Sequence, residues 1–172
     1  MQIRLEREGD FRAVENLVRE AFWNVYRPGC SEHYLLNRLR GRPEFIPQLD
    51  YLLEDEGQIV AQILYCRSRI DALCGRAIPT VTFGPVSVLP PRQRQGCGGA
   101  LIRYTLSRAA ALGYGAAAIT GDPIYYRRFG FVSGASLDIA CAGAPADFPF
   151  FLVKELAPGY LSGVRGVFAE PE

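Results

Sequence analysis

One stretch limits what this chain can fold into more than any other: Val86-Ser87-Val88-Leu89-Pro90-Pro91-Arg92-Gln93-Arg94-Gln95-Gly96-Cys97-Gly98-Gly99-Ala100-Leu101-Ile102. An apolar strand runs into two prolines, then a basic, glycine-rich turn, then a helix. Small residues at a helix start leave backbone N–H groups pointing outward, and the helix dipole adds about half a positive charge there. That order builds an anion cradle inside an α/β fold.

The rest of the chain follows the same alternation. Residues 2–5 predict a first strand. Asp10 is placed to cap a helix through Phe22, with Phe11, Val14, Leu17, Val18 and Ala21 on one face. Ser31 is placed to cap a second helix carrying Tyr34, Leu35, Leu36 and Leu39, which stops near Gly41. Tyr51–Glu54 and Gln58–Arg69 flank Asp55-Glu56-Gly57, a hairpin signal, and residues 77–89 form a further strand. The helix after Gly96 carries Leu101, Ile102, Thr105, Leu106, Ala109 and Leu112 at helical period and ends at Gly113. Ala116–Thr120 is a short buried strand, Gly121-Asp122-Pro123 opens a short helix ending near Gly130, and 131–141 and 148–156 read as the last two strands. The tail from Ala157 reads as loop, with Tyr160, Leu161, Val167 and Phe168 available to pack back. No repeat or linker divides the chain, so one domain over 1–172 is expected.

Composition removes several classes of function. A net charge of +1 gives no basic field for nucleic acid. No apolar run approaches the roughly 18 residues of a membrane span, and Met1–Glu6 lacks the apolar core of a signal peptide. Five cysteines at Cys30, Cys66, Cys74, Cys97 and Cys141, with His33 as the one histidine, have no zinc-site spacing. They read as reduced thiols of a cytoplasmic protein that uses no metal.

The cradle is not a nucleotide P-loop, because Gly99-Ala100-Leu101 stands where that loop needs lysine and a hydroxyl residue. It is a poor dinucleotide fingerprint, because Leu101 occupies the third glycine position. Taken alone, the glycines also suit a turn that merely joins strand to helix.

Gln93-x-x-Gly96-x-Gly98 after a Val-x-Val strand end resembles the acetyl-coenzyme A signature of the GNAT N-acetyltransferase superfamily. A second element, Tyr126-x-x-x-Gly130-Phe131, sits within Gly121-Asp122-Pro123-Ile124-Tyr125-Tyr126-Arg127-Arg128-Phe129-Gly130-Phe131 and is similar to a bacterial subgroup of predicted acetyltransferases. The resemblance runs through the chain in order and is sharp over 84–131. It implies a mixed, mostly antiparallel sheet of six to seven strands, splayed after a bulged fourth strand and flanked by about four helices. The Gly84-Pro85 break suits such a bulge, since proline cannot donate to the ladder.

By the same resemblance, main-chain groups of Val86, Ser87 and Val88 pair with the pantetheine arm of acetyl-CoA. The turn Gln93, Arg94, Gln95, Gly96, Cys97, Gly98 and Gly99 holds the pyrophosphate, where a Cβ at Gly96 or Gly98 would keep the anion away. Arg92 and Arg94 add charge nearby. Tyr126 becomes the general acid, since a phenol with a pKa near 10 is protonated at neutral pH. Tyr125 is structural or a pocket wall.

The expected reaction is acyl transfer to an amine of a small molecule, peptide or protein by direct attack in a ternary complex. Cys97 has no base near it in sequence for an acyl-enzyme route. The amine also needs a base, and Ala77–Phe83 holds no carboxylate. Asp122, Glu32 and His33 are the substrate-side candidates, with helix capping the competing role for Asp122. Trp23, Tyr26, Phe45 and Phe148–Phe151 suit an acceptor cleft or the core. A non-catalytic acyl-CoA sensor is the alternative, hydroxyl acylation a third reading, and a homodimer the assembly that family analogy suggests.

Overall fold

The computed structural model describes residues 1–171. Nine strands and four α-helices follow in the order β1 (Gln2–Leu5), α1 (Phe11–Phe22), α2 (Glu32–Arg40), β2 (Tyr51–Asp55), β3 (Gln58–Ala72), β4 (Ala77–Val88), α3 (Cys97–Ala111), β5 (Ala116–Thr120), α4 (Pro123–Tyr126), β6 (Val132–Ser133), β7 (Ile139–Cys141), β8 (Phe151–Glu155) and β9 (Gly166–Ala169). Hydrogen-bonded neighbours run β1-β2-β3-β4-β5-β8-β6, with β9 on β3 and β7 on β9. β1–β2, β2–β3, β3–β9, β5–β8 and β6–β8 are antiparallel and β4–β5 and β7–β9 parallel, so the sheet is mixed and mostly antiparallel. The chain divides into two compact units, Met1–Tyr65 with Gly84–Thr105, and Cys66–Phe83 with the residues from Leu106 on.

In the first unit, β2 and β3 form a hairpin whose two loop residues, Glu56 (φ +50°) and Gly57 (φ +79°), both lie in the left-handed region. That is the turn that matches strand twist, and it is why an Asp-Glu-Gly sequence sits there. β1 pairs with β2 from Gln2↔Glu54 to Leu5↔Tyr51. Helices α1 and α2 pack on each other and bury Val14, Leu17, Val18 and Leu36. The two expected caps fail for one reason: an arginine takes the oxygen first. Asp10 accepts from Arg4 at 2.7 and 3.0 Å and from the Arg7 N–H at 2.9 Å, so it closes the 3-10 turn before α1 instead. Ser31 accepts from the Arg27 guanidinium and makes no cap bond to α2.

In the second unit, β5 pairs with β8 from Ala116↔Glu155 to Thr120↔Phe151, and β4 with β5 at Val81↔Ala117. The core here is Ile70, Ile78, Ala116, Ala118, Ile139, Phe151, Val153, Leu161 and Phe168. Two expectations are corrected. The 131–141 strand is split into β6 and β7 by a 3-10 turn, Gly134–Leu137, ending at Asp138 with φ +55°. The ring of Phe151 lies 2.3 Å from where a Cβ on Gly134 would stand, so the chain must turn away there. The tail is not loop alone: β9 pairs with β3 from Arg69↔Ala169 to Ala72↔Gly166. Leu161 and Phe168 are buried as expected and Val167 is exposed, while Tyr160 donates its hydroxyl to the Pro79 carbonyl at 2.7 Å.

Candidate active site

The cradle forms within the first unit. β4 carries through a cis Gly84–Pro85 peptide, with Gly84 at φ +146°, in the region that favours glycine. Gln62 of β3 is fully buried beneath this point. Its Nε2 donates to the Pro85 carbonyl at 2.8 Å and to Ser87 Oγ at 3.2 Å. Among the described residues its Oε1 has no partner. A polar side chain inside the apolar run Ile59–Cys66 was the available sign of this role.

Beyond Val88 the chain makes a 3-10 turn, Pro90–Arg92, and enters α3 at Cys97. Two glutamines staple the turn: Gln93 Nε2 donates to the Val88 carbonyl at 3.1 Å and Gln95 Nε2 to the Pro91 carbonyl at 2.8 Å. Arg94 (φ +61°) and Gly96 (φ +89°) lie in the left-handed region and reverse the backbone. The amides on either side are taken, Arg92 by Leu89, Gln93 by Pro90 and Ala100 by Gly96. Among the described residues, no backbone carbonyl accepts from the amides of Arg94 through Gly99. The first turn of a helix has no internal acceptor for its N–H groups, and among the described residues the two turn glutamines bond to carbonyls rather than to these amides.

One expected contributor is reassigned. Arg92 donates to Asp55 at 2.7 Å, so its charge anchors the turn to the β2–β3 hairpin rather than standing free for an anion. That bond also holds the Asp55 carboxyl below its ordinary range. Cys97 is buried, so its thiol is not offered to solvent at the turn.

The tyrosine motif forms within the second unit. Asp122 Oδ1 accepts from the Ile124 N–H at 2.9 Å and caps α4, and the Asp122 carbonyl accepts from the Tyr126 N–H at 3.0 Å. The Tyr126 ring is set among Tyr125 (centroids 5.0 Å apart), Phe131 (5.9 Å), Phe83 (6.0 Å) and Phe129 (6.2 Å). Gly121 lies against that ring: a Cβ there would stand 2.4 Å from Tyr126 Cε2. Arg128 covers the Tyr125 ring at 4.5 Å, a cation–π contact.

Glu32 and His33 open α2 in the first unit. Glu32 accepts from the Ser31 N–H at 2.8 Å. His33 Nδ1 lies 3.4 Å from Cys30 Sγ, a pairing the reading of single residues missed although the i, i+3 spacing was visible. Burial pushes the Cys30 thiol up, so it stays protonated at neutral pH. Among the described residues, no group of three or more His, Cys, Asp or Glu side chains is placed to hold a metal ion.

Among the described residues, a strand thus ends in a turn whose amides lack backbone acceptors at the start of a helix, within a mixed, mostly antiparallel sheet. The model of the acetyltransferase (GNAT) domain family matches residues 2–133, and the chain belongs to that family of N-acetyltransferases. It is 30% identical over 167 residues to the uncharacterized N-acetyltransferase YhbS of Escherichia coli K12, across 97% of this chain and 94% of that one. The crystal structure of Escherichia coli YhbS with CoA is similar at a TM-score of 0.85 and 27% identity, over 99% of this chain and 89% of that one. A GNAT acetyltransferase from Brucella melitensis with acetyl-CoA is similar at a TM-score of 0.77 and 28% identity, over 99% and 95%.

Proposed function

We propose that this acetyltransferase moves an acyl group from acetyl-CoA to an amine, by direct attack in a ternary complex. The observation that carries the reading is the run of amides without backbone acceptors from Arg94 to Gly99, in a turn reversed at the left-handed Arg94 and Gly96. Six N–H donors at a helix start fit a pyrophosphate. Similar structures with bound CoA and acetyl-CoA support the same ligand here.

In this reading the Arg94–Gly99 backbone holds the pyrophosphate, and main-chain groups of Val86, Ser87 and Val88 hold the pantetheine arm. The donor supplies an activated thioester. The acceptor nitrogen must arrive unprotonated, since its lone pair forms the new C–N bond. Tyr126 gives its phenolic proton to the departing sulfur as the C–S bond breaks, and the surplus amine proton passes to water, from which the Tyr126 phenolate is reprotonated. Asp122 serves as the α4 cap, Tyr125 as a wall that holds the Tyr126 ring, and no residue is assigned as base. The chain works as one domain in the cytoplasm, a reading that its free cysteines support. No helix among the described residues is long and apolar enough to cross a membrane.

The test is calorimetry with acetyl-CoA together with an amine screen that detects free thiol. Saturable binding, acceptor-stimulated thiol release and loss of binding in Gly98→Asp are expected. Normal affinity in Gly98→Asp would remove the pyrophosphate assignment. Tight binding with no acceptor-stimulated release would favour a sensor over an enzyme.

A further inference from the structure

The segment between α1 and α2 has no part in the cradle or in the tyrosine motif. Trp23 follows α1 in extended conformation, and the chain then closes a loop in which Asn24 Oδ1 accepts from the Gly29 N–H at 2.8 Å and the Gly29 carbonyl accepts from the Asn24 N–H at 3.0 Å. Beside this loop lies a hollow of about 670 Å³. Its lining includes Arg19, Trp23, Arg27, His33 and Tyr34 beside the loop residues 28–31.

Three properties of that lining point to one class of ligand. First, its charge is of one sign: two guanidinium groups line it and no carboxylate does. Among the described residues neither Arg19 nor Arg27 has a carboxylate within ion-pair distance, and Arg27 donates only to the Ser31 hydroxyl. Glu32 is not part of the lining; its carboxylate accepts from the Ser31 N–H at the edge of the hollow and bears on Cys30, so two guanidinium groups face one carboxylate there. Second, two large rings are offered to solvent at its wall, Trp23 at 56% exposure and Tyr34 at 66%. Third, the volume is that of a small-molecule site, about 300–1,000 Å³. A second hollow of about 450 Å³ shares Arg19 and Trp23 and adds Glu20 and Pro90. Pro90 is the first residue of the turn that opens the cradle.

We propose that this groove binds a small organic anion carried on a planar ring. Arg19 and Arg27 meet the carboxylate or phosphate, and Trp23 and Tyr34 meet the ring. Guanidinium groups bind either anion through paired N–H donors, and ring stacking adds selectivity for the flat part. Binding stands on the groove alone. That the ligand is also the acyl acceptor rests on the acetyl-transfer reading, and it then carries an amine as well.

Trp23 is the one tryptophan of the chain, so its emission reports this groove directly. Titration of the whole protein, excited at the red edge of indole absorption, compares phenylacetate, phenyl phosphate and neutral benzyl alcohol. A saturable change with phenylacetate or phenyl phosphate is expected, the tighter of the two naming the anion, with benzyl alcohol at least tenfold weaker. The Arg19→Gln, Arg27→Gln double variant changes two exposed side chains. It should weaken the anion at least tenfold while its circular dichroism and its calorimetric affinity for acetyl-CoA stay unchanged. No saturable response to either anion, equal binding of benzyl alcohol, or undiminished affinity in the double variant overturns the proposal. Failure of the wild-type chain to bind acetyl-CoA strikes the coenzyme reading instead and leaves the groove measurement intact.

Discussion

Tyr126 and Gly121 act as a pair. The ring can sit where it does only because position 121 has no Cβ, which would stand 2.4 Å from Tyr126 Cε2. The two substitutions therefore separate chemistry from placement. Tyr126→Phe removes the proton and keeps the ring, so turnover should fall roughly 10²–10⁴-fold at unchanged acetyl-CoA affinity. Gly121→Ala keeps the proton and displaces the ring, so turnover should fall with the phenol still present. Steady-state kinetics with an amine found by the screen decides both. Full activity in Tyr126→Phe would take the tyrosine out of the mechanism.

At the scale of elements, α4 is a four-residue helix and depends on its cap. The Asp122 bond to the Ile124 N–H identifies the carboxylate as that cap, although the sequence also allowed a general base. Asp122→Asn keeps a capping oxygen and removes basicity, whereas Asp122→Ala removes both. If Asp122 is only a cap, the asparagine variant should keep turnover within about threefold, and the alanine variant should lose about 1 kcal/mol of stability by thermal unfolding. A large loss of turnover in both variants would restore the base.

The elements legible in advance were those with a local signal. The Asp55-Glu56-Gly57 hairpin, the apolar stripe of α3 and the Gly121-Asp122-Pro123 start of α4 each write their structure into a few adjacent residues. The turn between β4 and α3 was legible for the same reason: its glycines and glutamines act within a few adjacent residues. What could not be read was set by distant partners. Asp10 and Ser31 have ideal cap chemistry but meet arginines. Arg92 looks like a cradle charge until Asp55, 37 positions away, claims it. β9 has no strong pattern of its own and exists because β3 and β7 present free edges.

For the molecule as a whole, the most consequential charges lie around Glu6 and Asp50 rather than in the turn before α3. Glu6 and Asp50 are buried close together, with Arg40 donating to Glu6 and, at 3.0 Å, to Glu15, while its guanidinium covers the Phe11 ring at 4.1 Å. Asp10, held by Arg4, is the further carboxylate that bears on Glu6. Burial, reinforced by Asp50, pushes Glu6 up to about 9, and burial raises Asp50 as well. A carboxyl whose pKa is higher in the folded state than in the unfolded one holds extra protons when folded, so stability declines as pH rises between the two values. The decline should span the interval from the ordinary 4.5 to about 9. Asp10 and Asp55 shift the opposite way, and their contribution is complete once pH exceeds the ordinary carboxylate range. The melting temperature should therefore fall between pH 6 and 9, and Glu6→Gln, which cannot ionise, should flatten that fall. An unchanged slope in the variant would place the titration elsewhere.

The pairing of β9 with β3 has a consequence for the order in which the protein is made. Ile70 and Asp71 leave the ribosome roughly a hundred residues before Phe168 and Val167, the partners that cover them. Throughout that interval one edge of a strand rich in buried side chains has no ladder to join. A newly made chain therefore carries an adhesive edge for most of the time taken to synthesise its second half, the period in which a holdase would matter most.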